Sequence, residues 1–359
     1  MRHITPFVLS CLIFFACFPQ ASAQKYTPPQ LEDPKSWSMV LLPDPQTYVK
    51  FERNQPLLDL QTIWIKENIV PLNIGLVLCT GDLVEQNDYP NPNGKSSNQT
   101  SAQQWTAVAK AFDYLNGASP TIIASGNHDY NKTTAIEPRQ TFLPDYFYPS
   151  RNPKTEAILV DMGVNAEGKK TLENAAYEFI SPHGRKFLIV SLEFAPREAA
   201  LNWAIEVVNR EKYRNHTVIL LTHSYLESDN KHIVKEGYKL TDANYGAAIF
   251  KKLVQPSKNI QLVLSGHIGS PNSERSHLGF RTDKNAAGKT VQQMTFNAQA
   301  LGGGWMGNGG DGWLRILEFL PDGKTIRVKT FSPLFAISPS TQHLAWRTEQ
   351  KDQFSFILE

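Results

Sequence analysis

The chain has 359 residues, with 36 Lys and Arg against 34 Asp and Glu, 41% apolar and 11% aromatic residues. That composition excludes the disordered and collagenous classes. A net charge of +2 without a run of like charge also leaves no concentrated basic surface, so no nucleic-acid partner is expected.

Residues 1–23 are expected to be a secretory signal peptide. Arg2 and His3 precede the apolar run Phe7 to Phe18, and Ala21-Ser22-Ala23 supplies small residues for cleavage. The run is shorter than the ~20 residues a membrane span needs, so the mature protein is expected to carry no span and to be secreted or periplasmic. A lipoprotein reading through Cys17 fits poorly with Phe14-Phe15-Ala16 before it. Cys11 and Cys17 would leave with the signal, which gives Cys79 no internal disulfide partner. Residues 24–36 are a Pro-rich polar lead-in, and residues 37–359 are expected to form one domain.

Five short apolar runs follow: Ser38 to Pro43, Ile74 to Thr80, Thr121 to Ser125, Thr217 to Thr222 and Ile260 to Ser265. Each is rich in Val, Ile and Leu without polar alternation, as are strands buried on both faces of a largely parallel sheet. Helical spacing separates them, with Leu57, Leu60 and Trp64 on one side of a first helix. Trp105, Ala109 and Phe112 mark a second, and Leu201, Ile205 and Val208 a third. Ala157 to Asp161, Ala176 to Ile180, Lys186 to Phe194, Val291 to Phe296, Leu314 to Phe319 and Thr325 to Phe331 read as further strands. Pro321-Asp322-Gly323 is a turn between the last two. The fold class expected is α/β, with two mixed sheets packed face to face and helices outside. Asp88 to Ser101 and the Gly-rich Gly302 to Gly312 are expected loops.

Each of the five runs ends on a side chain able to bind a metal. The endings are Asp44-Pro45-Gln46, Gly81-Asp82, Gly126-Asn127-His128-Asp129, His223 and Gly266-His267. Singly these residues have structural explanations: Asp44 or Asp82 as a helix N-cap, Asn127 as a turn residue, His223 as a satisfied core histidine. Together they favour one crevice at the carboxyl edge of the strands, where open α/β sheets bind ligands. Carboxylate, amide oxygen and imidazole without thiolate suit Mn²⁺, Fe²⁺ or Zn²⁺. Two such ions ~3.5 to 4 Å apart, bridged by a carboxylate such as Asp82, would activate water and clamp phosphoryl oxygens.

These motifs, in this order, resemble those of the calcineurin-like metallophosphoesterases, and Gly126-Asn127-His128-Asp129 is the most specific of them. The resemblance implies a four-layer αββα sandwich and hydrolysis of phosphoesters. By motif position, Asp44 and Gln46 would hold a first metal, Asp82 would bridge, and Asn127, His223 and His267 would hold a second. His128 would contact the leaving-group oxygen, with Asp129 orienting its imidazole. Thr290 to Met294 and Asp311 to Arg315 look like segments of exported bacterial members.

The sequence departs from the family pattern at two positions. Gln46 stands where many members have His, and Gly269 stands where a second histidine of the last motif would ligate the first metal. That metal then needs water, a backbone carbonyl or a substitute such as His277, although a surface-loop reading of His277 is favoured. One or two ions are therefore expected, with Mn²⁺ preferred because oxygen donors suit harder ions. His183 and His232 read as solvated, and Trp305 and Trp313 as packing beside the Gly-rich loop.

The leading reading is a secreted metal-dependent phosphoesterase using metal-activated hydroxide, with the phosphoester's identity and the oligomeric state left open. The alternative is a catalytically impaired binding module of the same fold, which Gly269 favours and the retention of Asp82 and His128 opposes. A metal-stabilised structural domain leaves the His128-Asp129 pair without a role.

Overall fold

The apolar runs become strands whose side chains feed three separate layers of core. A computed structural model describes residue 1 and residues 26–359 apart from 93, 133 and 274, so the expected signal peptide beyond residue 1 lies outside the described residues. Its strands are β1 (Trp37–Leu42), β2 (Ile74–Cys79), β3 (Thr121–Ile123), β4 (Leu159–Val164), β5 (Lys170–Ile180), β6 (Lys186–Ser191) and β7 (Thr217–Leu221). Then come β8 (Ile260–Ser265), β9 (Leu278–Lys284), β10 (Thr290–Phe296), β11 (Leu314–Phe319), β12 (Thr325–Phe331), β13 (Trp346–Arg347) and β14 (Phe354–Ile357).

Two seven-stranded sheets form, one in the order β13-β12-β11-β1-β2-β3 with β14 also on β12, the other β4-β5-β6-β7-β8-β10-β9. Both are mixed. In the first, β1, β2 and β3 run parallel while β11 is antiparallel to β1. In the second, β6, β7, β8 and β10 run parallel, β5 is antiparallel to β6 and β4 to β5 at one side, and β9 is antiparallel to β10 at the other.

Alternation along each strand divides its side chains between two cores. Met39, Leu41, Leu76 and Leu78 face Ile189, Ile219, Leu221, Leu262 and Leu264 in the core between the sheets. Val40, Leu42, Val77 and Cys79 point the other way, onto Trp105, Val108 and Phe112 of the Ser101–Asp113 helix and Leu58 and Ile65 of the Gln55–Glu67 helix. Leu188, Val190, Val218 and Leu220 pack on Leu201, Ala204 and Val207 of the Glu198–Val208 helix. The result is the αββα sandwich.

The Ser101–Asp113 helix starts where a capping box fixes it, with Thr100 and Gln103 exchanging side-chain bonds of 3.2 and 2.8 Å with each other's backbone N–H. In the Gln55–Glu67 helix the buried positions are Leu58, Gln61, Thr62 and Ile65. Leu57, Leu60 and Trp64, expected to define its inner face, are only half-buried flanks of it. Among the described residues, no helix is long and apolar enough to cross a membrane.

The five runs are divided three to two between the sheets, yet their carboxyl ends lie level. Leu42 pairs with Cys79 and Cys79 with Ile123 in one sheet, and Leu221 with Leu264 in the other. The loops that follow therefore open on the same edge of the sandwich.

Candidate metal centre

Three donor atoms from three loops crowd around one imidazole nitrogen. His223 Nε2 lies 3.2 Å from Asp82 Oδ2, 3.2 Å from Asn127 Oδ1 and 3.1 Å from His267 Nδ1. His223, at the end of β7, is fully buried. Its other nitrogen is 2.8 Å from the Thr80 carbonyl. A carbonyl only accepts, so Nδ1 carries the proton and Nε2 presents its lone pair to the cluster when the ring is neutral.

His267 is fixed in the opposite sense. Its Nε2 meets Glu236 Oε1 at 2.5 Å, which leaves Nδ1 facing His223. Two ring nitrogens at 3.1 Å cannot both present lone pairs; a proton or a cation must lie between them. Asp82, His223 and His267 have ligand atoms within 4.8 Å of one another, and Asn127 adds an amide oxygen. This nitrogen and oxygen donor set fits a borderline divalent ion.

The glycines of the motifs are there because the carboxylates press against them. A Cβ at Gly126 would overlap Asp82 Oδ1, and one at Gly266 would overlap Asp44 Oδ1. Asp82 and His267 both adopt the left-handed backbone, at φ 49° and 74°. Strained loop residues of this kind persist where the surrounding structure determines them fully.

Asp44, at the end of β1, lies behind this cluster. Oδ1 accepts from Thr80 Oγ1 at 2.6 Å and stands 3.9 Å from His223 Nδ1, while Oδ2 accepts from the His267 backbone N–H at 3.0 Å. Gln46 is buried, and its Oε1 has no hydrogen-bond partner among the described residues. An orphaned buried amide oxygen is costly unless a cation or water meets it, so Gln46 fits a ligand position better than a packing one. Its Nε2 is 3.4 Å from Glu85 Oε2, to which Lys50 Nζ also binds at 3.0 Å.

His128 stands beside the cluster. Its backbone N–H donates to Asp82 Oδ1 at 2.9 Å, and its ring Nδ1 lies 2.7 Å from the Glu85 carbonyl. The expected link to Asp129 is replaced by another: the Glu85 carbonyl orients the imidazole. The Asp129 carboxylate accepts from Val84 N–H at 3.1 Å and Gly126 N–H at 2.8 Å, tying the loop after β2 to the loop after β3.

Charges in this site perturb one another strongly. Burial pushes Asp44 up to about 6, although His223 opposes it. Burial and then Asp82 push Asp129 up to about 8. Burial alone would lower His223, but Asp82 and Asp44 outweigh it and hold the ring up at about 10. Asp82 itself is driven well below the carboxylate range, because His223 and His128 overcome its burial. His128 is raised: burial works against the charged ring, and the neighbouring Asp82 and Glu85 prevail.

Two positions differ from their sequence reading. His277 is buried next to Phe296, not on a surface loop, and it is not in the Asp82, His223 and His267 cluster. His232 is half-buried, stacked on Phe250 and 2.7 Å from Gln293 Oε1. Trp313 is a packing residue, as expected, and its place is the inter-sheet core, whereas Trp305 lies beside Gly269, its Cη2 3.3 Å from where a Cβ would stand. Thr80, Glu85 and Glu236 escaped the sequence reading. Thr80 adjoins Gly81-Asp82 and was legible in principle as part of that motif, whereas Lys235-Glu236-Gly237 gives no signal beyond a solvated turn.

The sequence profile of calcineurin-like phosphoesterases matches residues 44–271, the stretch that carries Asp44, Gln46, Asp82, Asn127, His128, Asp129, His223 and His267. The chain belongs to the calcineurin-like phosphoesterase family. It is 26% identical over 364 residues to the protein YvnB of Bacillus subtilis (strain 168), an alignment that takes in 99% of this chain and 24% of that protein. The chain thus spans about a quarter of that relative's length. Among solved structures, a dimetal phosphatase from Danio rerio is similar with a TM-score of 0.48 and 11% identity, over 90% of this chain and 99% of that one. The purple acid phosphatase PPD1 from yellow lupin (Lupinus luteus) seeds is similar with a TM-score of 0.47 and 14% identity, over 89% and 53%.

Proposed function

We propose that this chain is an exported, metal-dependent phosphoesterase that takes Mn²⁺ in preference to Zn²⁺ or Fe²⁺. The observation that carries the proposal is the convergence of Asp82, Asn127 and His267 on His223 Nε2 at 3.1 to 3.2 Å, with His128 hydrogen-bonded to the same Asp82. These four donors would hold one ion, and Asp44 and Gln46, with Asp82, would hold a second. A divalent ion supplies Lewis acidity at the phosphoryl oxygens and a nucleophile at neutral pH.

The chain's own residues then have defined tasks. Thr80 fixes the tautomer of His223 through its carbonyl, and fixes the rotamer of Asp44 through its hydroxyl. Glu85 accepts from His128 Nδ1–H, so the remaining ring proton of the charged form is on Nε2. Asp82 and Glu85 raise the His128 pKa against its burial, the direction that favours the proton a departing alkoxide needs. Asp129 holds the two loops at the separation that brings His128 beside Asp82. Support for export is the basic, apolar and small-residue pattern of residues 1–23.

A second reading, a binding module of the same fold without turnover, draws on Gly269 and on Trp305 beside it. One experiment separates the two: metal analysis of the purified protein, with a chromogenic phosphomonoester and phosphodiester assayed with added Mn²⁺. Metal with turnover supports the enzyme, metal without turnover supports the binding module, and neither metal nor turnover defeats both.

A further inference from the structure

We infer that Glu236 is a positioning residue of the metal centre, one that holds the His267 ring with Nδ1 toward the ion. The inference rests on the metal-centre reading above and adds to it a carboxylate from outside the strand-end motifs.

Glu236 bonds in two directions. Oε1 lies 2.5 Å from His267 Nε2, and Oε2 accepts from Ser224 Oγ at 2.9 Å. Ser224 follows His223, so one carboxylate joins the loop after β7 to the loop after β8, the two segments that supply both imidazoles. A carboxylate behind a metal-bound histidine fixes its ring orientation and tautomer and increases the basicity of the nitrogen facing the ion. His267 needs such help more than His223 does. His223 is fully buried with a backbone carbonyl behind it, whereas His267 keeps 14% of its side chain exposed and sits on a left-handed residue.

The segment that delivers Glu236 is secured on both sides. Before it, Ile233 N–H donates to the Tyr225 carbonyl at 3.0 Å. After it, Glu137 N–H donates to the Lys239 carbonyl at 3.2 Å, and the Tyr238 ring packs edge-on against Phe194 at 5.0 Å. Farther on, the buried Arg139 guanidinium donates to the Asp242 carbonyl at 2.5 Å and the Ala195 carbonyl at 2.9 Å, strapping the segment to the turn after β6. The segment that carries Glu236 is thus anchored by contacts besides the bond between Glu236 and His267.

The test is Mn²⁺ titration of the metal-stripped full chain, reading free Mn²⁺ by electron paramagnetic resonance and bound nitrogen by pulsed measurement of the same samples. Wild type should bind with two imidazole nitrogens on the tighter ion. Glu236→Ala should bind that ion ~10- to 100-fold more weakly, with the His267 nitrogen signal reduced. Glu236→Gln keeps an oxygen for His267 Nε2–H, so it should lose less affinity and keep both nitrogens. Glu236→Ala with affinity within about twofold of wild type and an unchanged nitrogen signal would overturn the inference. If Glu236→Ala does not fold, Ser224→Ala decides instead: loss of the tether should weaken Mn²⁺ binding and broaden the His267 nitrogen coupling, and no change in either overturns the inference. Failure of wild type itself to bind Mn²⁺ would overturn the metal-centre reading and this inference together, a result distinct from the variants matching a wild type that binds.

Discussion

His128 and Gly126 lie two residues apart in one motif and act on Asp82 by different physics, one by a hydrogen bond and one by steric contact. The His128 ring is not among the clustered donors, and its contact with Asp82 is made by backbone. His128→Asn should therefore leave metal content near that of wild type while lowering kcat by ~10² to 10⁴, the usual contribution of general-acid assistance. Parallel measurement of bound metal and kcat checks this, and an equal loss of metal would place the ring among the ligands. Gly126→Ala should behave oppositely. The added Cβ collides with Asp82 Oδ1 and with its backbone N–H, so the carboxylate must move. A cost of ~1 to 3 kcal/mol in stability is typical of such overpacking, and here metal should fall with it. Urea unfolding and metal analysis of the variant test both effects, and a fully loaded protein of normal stability would contradict the assigned contact.

At the scale of elements, the Gly-rich segment 302–312 bears on the position where the family pattern is broken. Its backbone is anchored to the segment after β1: Asn54 Nδ2 donates to the Gly307 carbonyl at 2.8 Å, and Gly312 N–H donates to Tyr48 Oη at 3.0 Å. Trp305 is thereby held against Gly269, where an imidazole would otherwise project. Gly269→His alone should gain little bound metal, since the new side chain meets the indole. Gly269→His combined with Trp305→Ala should bind more metal than either single variant, and metal analysis of all three checks the coupling. A full gain from Gly269→His alone would show that the loop yields readily. This loop also marks where the sequence stops being legible. Strands β1, β2, β7 and β8 were readable because a strand buried on both faces is a continuous Val, Ile and Leu run. The assignment of each to one sheet or the other was not, because both environments select the same residues. β9 escaped because Leu278–Lys284 (LGFRTDK) is a half-exposed edge strand with paired charges, and β13 because it has two residues. The clustered donor residues were legible as endings of recognisable strands. Glu236 and Trp305 were not, because long-range packing of irregular loops brings them to the site.

On the scale of the whole molecule, both sheets converge on a site whose buried charges oppose one another when no ion is present. Burial raises Asp44 to about 6, and burial with Asp82 raises Asp129 to about 8, each from an ordinary value of 3.8. His223 is raised from 6.5 to about 10, since Asp82 and Asp44 outweigh its burial. All three groups bind protons more tightly folded than unfolded. Their contribution to stability is therefore complete below the unfolded values and is lost as pH rises through the folded ones. Asp82 has the opposite sign, but its effect is confined to pH below 3.8. Asp44 has lost its contribution by about pH 7, so from pH 7 to pH 9 the metal-free protein should lose stability through Asp129 and His223, on the order of 1 kcal/mol per pH unit for each proton released. Saturating Mn²⁺ should remove or reverse that slope, because the cation replaces the protons that shield Asp82 and Asp44, and its affinity rises as His223 becomes easier to deprotonate. Thermal unfolding at pH 7 and pH 9, with chelator and with Mn²⁺, measures the difference. A metal-free protein more stable at pH 9 than at pH 7 would show that the empty site does not hold its protons in this way.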